Sequence, residues 1–241
     1  MRLDLAIAPG APVLLRRVSG AAAPQPWWAA SLDDAGGTYD LSDRSTLFQD
    51  ADAVLPVRGD GDPVGLILDR GPARTLGPEA LVGGGFDDGL GPWISDGDHW
   101  VGRNGVAVHS WSDVFRTLRG AIPAGLRGRL AEFAFEVKSM SGRSGLRADM
   151  RRTDNRVDLV VWGTGGARPA AGRGGQRAIL RVPPNAAFVA FARDGAGEHM
   201  FCNLDDVSLR EVRGAHLAAP VGAPRPIWRT DGRRGWLETA A

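Results

Sequence analysis

The chain has 241 residues but only one cysteine, Cys202, and one lysine, Lys138. A single cysteine cannot close an intrachain disulfide, so an oxidised secreted scaffold is excluded, and stability must come from packing, assembly or metal. All basic residues other than Lys138 are arginine, a lopsidedness that reads as GC-rich coding. Basic and acidic residues nearly balance, at 29 against 28. No segment carries the basic stripe that counterion-release binding requires, so nucleic acid is not an expected partner. No apolar run approaches the roughly 18 residues of a spanning helix. The N-terminus, MRLDLAIAPGAPVLLRR, has an acidic residue and prolines where a signal peptide keeps a clean apolar stretch. The expectation is cytoplasmic synthesis without a signal peptide, and no membrane insertion.

Catalytic signatures are missing as well. The sequence has no Gly-x-Ser-x-Gly elbow, no His-Glu-x-x-His and no Gly-x-x-x-x-Gly-Lys. The Gly-rich run GTGGARPAAGRGGQ lacks the phosphate-binding lysine and lies between strand patterns, where it reads as a loop. A sandwich glycosidase needs two carboxylates converging on one glycosidic bond. Glu132 and Glu136 share a strand face but are explained by solvation. His99, His109, His199 and His216 have no partner at metal-binding spacing. A non-enzymatic protein is expected.

What the chain has in quantity is glycine and proline, 34 and 16 residues, which disfavours long helices. The regions before Thr38 and after Leu55 are rich in breakers, so residues 1–77 read as an attachment and assembly region. Beyond it, short alternating segments take over. In LAEFAFEVK, Ala131, Phe133, Phe135 and Val137 share one side while Glu132, Ala134, Glu136 and Lys138 share the other, the period of a half-buried strand. Similar segments follow at LRADMRRT, VDLVVW, QRAILRVP, AAFVAFAR and HMFCNLDDVSLREV. In the last, Met200, Cys202 and Leu204 have one parity and Val207 and Leu209 the other, so a β-bulge at Asp205 or Asp206 is required to keep both sets inward. The fold class expected is all-β, an antiparallel jelly-roll β-sandwich over 78–212 with extended N- and C-terminal arms, the latter over 213–241.

The segment from ALVGGGFDDGLGPW (80–93) to FCNLDDVSLREV (201–212) resembles the carbohydrate-binding-module type of galactose-binding-like jelly roll. That family usually opens with Asn-Gly-x-Phe-Glu-x-Gly…Trp and closes on a strand containing Asp-Asp-Val-Ser. Phe86, Gly89 and Trp93 match; Gly83 stands where Asn is usual and Asp87 where Glu is usual. The resemblance implies one structural Ca²⁺, held by the acid after the motif Phe and an acid of the closing strand, here Asp87 and Asp205. The alternative for these acids is a solvated turn and a bulge residue. The flanks YDLSDRSTLFQDADAVLPVRGDGDPVGLILDR and HLAAPVGAPRPIWRTDGRRGWLE resemble the leader and linker of prophage-type spike and fibre proteins of tailed phages or gene transfer agents. Together the resemblances imply a subunit on the exterior of a virion or phage-like particle. Its implied partners are other spike, capsid or tail proteins and further copies of itself, as a homo-oligomer.

For a glycan, the physics asks for flat aromatic surfaces and fixed polar groups. By period two, Arg147, Asp149 and Arg151 lie on one strand face, and Asp158 and Trp162 join them if the two segments pair. Arginine pairs suit the carboxylates of an acidic polysaccharide. The competing explanations are a solvated ion-pair lattice for the charges and core packing for Trp162. Trp27, Trp28, Trp228 and Trp236, in the flanks, suit protein contacts. The expected function is binding of host surface or capsular polysaccharide. The alternative is a purely structural spike-base or collar protein, and a polysaccharide depolymerase ranks last.

Overall fold

A computed structural model of the chain describes residues 39–71, 74–97, 99–112, 116–195, 199–220 and 222–238. Trp27 and Trp28 lie outside them. Regular structure among these residues is strand apart from two single-turn 3-10 segments, Arg44–Thr46 and Ala124–Leu126. The strands of the N-terminal half are β1 (Leu47–Phe48), β2 (Leu66–Ile67), β3 (Thr75–Glu79), β4 (Ile94–Ser95), β5 (Trp100–Arg103), β6 (Val106–Ser112) and β7 (Leu118–Ala121). They are followed by β8 (Leu130–Gly142), β9 (Leu146–Arg151), β10 (Val157–Trp162), β11 (Gly174–Arg181), β12 (Phe188–Arg193) and β13 (Met200–Arg213). Last come β14 (Leu217–Ala218), β15 (Ile227–Thr230) and β16 (Gly235–Glu238). The chain divides into two compact units: Leu76–Val212, and the residues on either side of that span.

The unit 76–212 is an antiparallel jelly-roll sandwich. One sheet has the order β10-β9-β12-β7-β4 and the other β11-β8-β13-β6-β5, with β3 added against β13. Alternation does the packing. Phe133, Phe135 and Val137 of β8 and Leu204, Val207 and Leu209 of β13 are buried and belong to the same core as Ala148 and Met150 of β9 and Val189 and Phe191 of β12. Phe135 meets Phe191 edge-on, with ring centroids 5.0 Å apart, a geometry favoured by the aromatic quadrupole. The expected bulge is present. Register between β13 and β8 shifts between Asp205 and Ser208, and Asp206 takes a left-handed φ of 51°. Met200, Cys202 and Leu204 before the shift and Val207 and Leu209 after it are all buried.

The Gly-rich opening segment is fitted against this closing strand. A Cβ on Gly84 would stand 1.9 Å from the Val207 carbonyl oxygen, so only glycine permits the Val207 N–H to reach the Gly84 carbonyl at 3.0 Å. Phe86 and Trp93 enter the core, and the Trp93 indole N–H donates to the Val82 carbonyl at 3.0 Å. The two ends of the sandwich therefore lie side by side. Ala80 N–H donates to the Leu209 carbonyl at 3.0 Å, and the Glu79 carboxylate accepts from Ser208, Leu209 N–H and Arg210. Burial works against the charge on Glu79, but these bonds and one from Leu81 N–H outweigh it and hold the carboxyl below its usual pKa.

The flanks, which the sequence reading treats as separate arms, meet in a second unit. β1, β2 and β14 form a sheet in that order, and β15 pairs with β16. Together the flanks bury Tyr39, Leu41, Leu47, Val64 and Ile67 with Leu217, Trp228 and Leu237. Trp228 is thus a core residue, its indole N–H donating to the Leu41 carbonyl at 2.9 Å. The Tyr39 hydroxyl donates to the Ala215 carbonyl, and burial, then the nearby Asp69 charge, pushes it up to about 12. Among the described residues no helix is long and apolar enough to cross a membrane.

Candidate functional site

The two sheets turn chemically different outer faces to their surroundings. On the six-stranded sheet, the polar parity of β8 places Glu132 3.7 Å from Arg177 of β11 and Glu136 2.6 Å from Lys138. Both glutamates are thus ion-paired along the sheet, Glu136 half-exposed and Glu132 largely covered beneath Arg177.

On the five-stranded sheet, the outward row of β9 is Arg147, Asp149 and Arg151. Register sets these three opposite Ala192, Ala190 and Phe188 of β12, and sets Ala190 opposite Arg119 of β7, which itself faces Ile94 of β4. Ala190 and Ala192 are each only 1% exposed yet lie outside the inter-sheet core. They form a floor of small residues flanked by long ones. The Arg119 guanidinium lies 5.5 Å from the Phe188 ring centroid, within cation–π range. Its Nη2 is held by Asp96 at 2.7 Å, while its Nε is buried without a hydrogen-bond partner among the described residues.

Asp149 organises the centre of this face. Its side chain is 1% exposed, and burial of a carboxylate is costly unless it is paired. Arg151 supplies a fork, Nε to Oδ1 at 2.6 Å and Nη2 to Oδ2 at 3.0 Å, and spends Nη1 on Asn155 at 3.2 Å. Arg147 contributes a single bond, Nε to Oδ2 at 2.8 Å, which fixes its stem while its terminal amino groups stay outside the Asp149 pairing. The trio carries one net positive charge.

Of the five residues expected on this face, the structure brings together Arg147, Asp149 and Arg151. Asp158 and Trp162 do not join them. β10 pairs with β9 through two register shifts, one between Val157 and Leu159 and one between Val160 and Trp162. The first makes Asp158 an extra residue, and its carboxylate takes the Arg152 Nε instead. The second turns Trp162 inward, where it is 4% exposed and packs edge-on against Phe135 with centroids 4.9 Å apart. Arg168 lies 5.6 Å from the same indole, and burial lowers its pKa. The face has an aromatic ring after all, but it is Phe188. In AAFVAFAR both parities are apolar, so alternation could not tell Phe188 outward from Phe191 inward.

Asp87 and Asp205, the acids that the resemblance implies as calcium ligands, lie in the opening segment and at the bulge of β13. Asp87 is exposed in the opening loop, its oxygens beside Gly85 and Gly105. Asp205 has one oxygen on the Asp206 N–H at 2.7 Å and the other 3.5 Å from the Lys138 ammonium. Among the described residues no group of three His, Cys, Asp or Glu is placed to hold a metal ion.

No family model matches the chain, and no curated protein does. Among solved structures, one titled "CBM4 structure and function" is similar at 13% identity over 54% of this chain and 97% of its own, with a TM-score of 0.36. The K3 cleaved adhesin domain of Lys-gingipain from Porphyromonas gingivalis w83 is similar at 16% identity over 57% of this chain and 98% of its own, with a TM-score of 0.35.

Proposed function

We propose that the chain is a non-enzymatic, glycan-binding spike or fibre subunit of a phage-like particle, and that the outer face of its five-stranded sheet takes acidic host-surface or capsular polysaccharide. The observation that carries this reading is the buried Asp149 with its two arginines. The carboxylate has no solvent to serve, yet it locks Arg147 through one Nε bond and leaves that guanidinium's outer edge for an external anion. A guanidinium so held matches a sugar carboxylate without further ordering. Arg119 over Phe188 offers an apolar surface beside the same floor. The flanking unit, in this reading, attaches the subunit to other particle proteins and to further copies of itself. Many copies would turn weak single sites into adhesion.

The test is binding of the whole chain to an array of acidic and neutral glycans, followed by Arg147→Ala. Loss of one charge-assisted hydrogen bond, worth about 1.5–3 kcal/mol, corresponds to a weakening of about tenfold or more. The defect should shrink at high salt, because partly exposed charges are screened. Arg147 is the suitable probe because Arg151 still satisfies Asp149 when it is removed; Arg151→Ala would instead strand a buried carboxylate. A second reading, a purely architectural base or collar protein, is favoured by the internal pairing of Arg151. It gains if the chain binds no glycan while the particle assembles around it.

A further inference from the structure

Glu136 of β8 and Asp205 of β13 are directly opposed in the antiparallel register, and Asp206 adds a third carboxylate at the bulge. Two like charges facing each other across a ladder destabilise it unless a cation lies between them. The cation present belongs to the chain. Lys138 Nζ lies 2.6 Å from Glu136 Oε2, 3.5 Å from Asp205 Oδ2 and 3.7 Å from Asp206 Oδ2. These separations suit an ammonium, which forms one short hydrogen bond and two looser ion pairs. A calcium ion would need its oxygens at about 2.3–2.6 Å, six to eight of them. Asp205 is oriented by the Asp206 N–H on its Oδ1, which leaves Oδ2 turned towards the ammonium.

We infer that Lys138 is the resident cation of the β8–β13 bulge, an internal ammonium in the role that calcium would otherwise fill, so that the sandwich folds independently of divalent metal. The composition has a physical counterpart here. Arginine stands at all the remaining basic positions, whereas lysine stands where three carboxylates lie within 4 Å of one ammonium. A tetrahedral ammonium with three rotatable donors can address all of them, whereas a planar guanidinium directs its donors in one plane. The bond to Glu136 and the charges of Glu136 and Asp205 raise the Lys138 pKa above the usual lysine value, so the ammonium is protonated at neutral pH.

The experiment is thermal unfolding of the full chain, wild type and Lys138→Met, which keeps an apolar stem of similar length and removes the charge. For the wild type, the melting temperature should be the same in chelator and in millimolar calcium chloride. Lys138→Met should melt lower by about 2–4 °C, and the gap should narrow at high salt, where exposed charges are screened. If the variant folds poorly, Glu136→Gln in the same background should restore it by removing one of the opposed charges. A wild type that loses stability in chelator overturns the inference. So does a Lys138→Met protein that melts like wild type, or one whose deficit is indifferent to salt and to Glu136→Gln, because the lysine would then act through packing alone.

Discussion

His109 is fully buried in β6, its Nδ1 3.0 Å from the Met200 carbonyl and its ring 4.8 Å from that of Trp100, edge to face. A carbonyl only accepts, so Nδ1 carries the proton and Nε2 is bare. Burial, opposed by the Met200 bond and assisted by His99 and Arg193, holds the pKa below the ordinary imidazole value. The unfolded chain therefore takes up this proton first. The stability involved is fully present above about pH 6.5 and is lost as pH falls below it towards the folded value. Melting temperatures measured between pH 7.5 and 5 should fall for the wild type and flatten for His109→Gln, whatever the variant's absolute stability. On the same sheet, burial pushes the Cys202 thiol up to about 12. It should resist thiol reagents in the native state and react only on unfolding. Trp162→Ala empties a site among Phe133, Phe135 and Arg168 and should cost about 3–5 kcal/mol by denaturant unfolding.

Strands differ in how much of themselves they declare in sequence. β8 alternates buried apolar with partly exposed residues, β9 alternates apolar with charged ones, and β13 alternates on either side of its bulge, so each is readable from the sequence. β4, β5 and β7 have two to four residues each; they exist because partners pair with them, and no period can form in so short a run. The outward row of β9 was legible for the same reason as β8. The inward turn of Trp162 was not, because register shifts in β10 depend on how β9 accommodates it. Phe188 and the alanine floor were hidden by the doubly apolar pattern of β12. Close packing across elements has its own signature at Gly120 of β7, where a Cβ would lie 2.6 Å from the Trp93 ring. Gly120→Ala should destabilise by about 1–3 kcal/mol, readable as a shift in the denaturant midpoint without a change in its slope.

At the scale of the molecule, one unit is inserted in the sequence of another: the sandwich departs from the flanking unit near residue 76 and rejoins it near 212. Each unit has a core of its own, so calorimetry should resolve two transitions. Trp228→Ala should lower one of them and Trp162→Ala the other; a single transition moved equally by both substitutions would contradict separate cores. The pairing of Ala80 with Leu209 gives this insertion a further meaning. A module whose entry and exit strands are hydrogen-bonded neighbours needs only one narrow doorway in its host. Any sandwich with paired ends could be spliced through that doorway while the host's fold stayed the same. The sandwich would then be exchangeable as a cassette, by grafting at residues 76 and 212, with the flanking core left untouched.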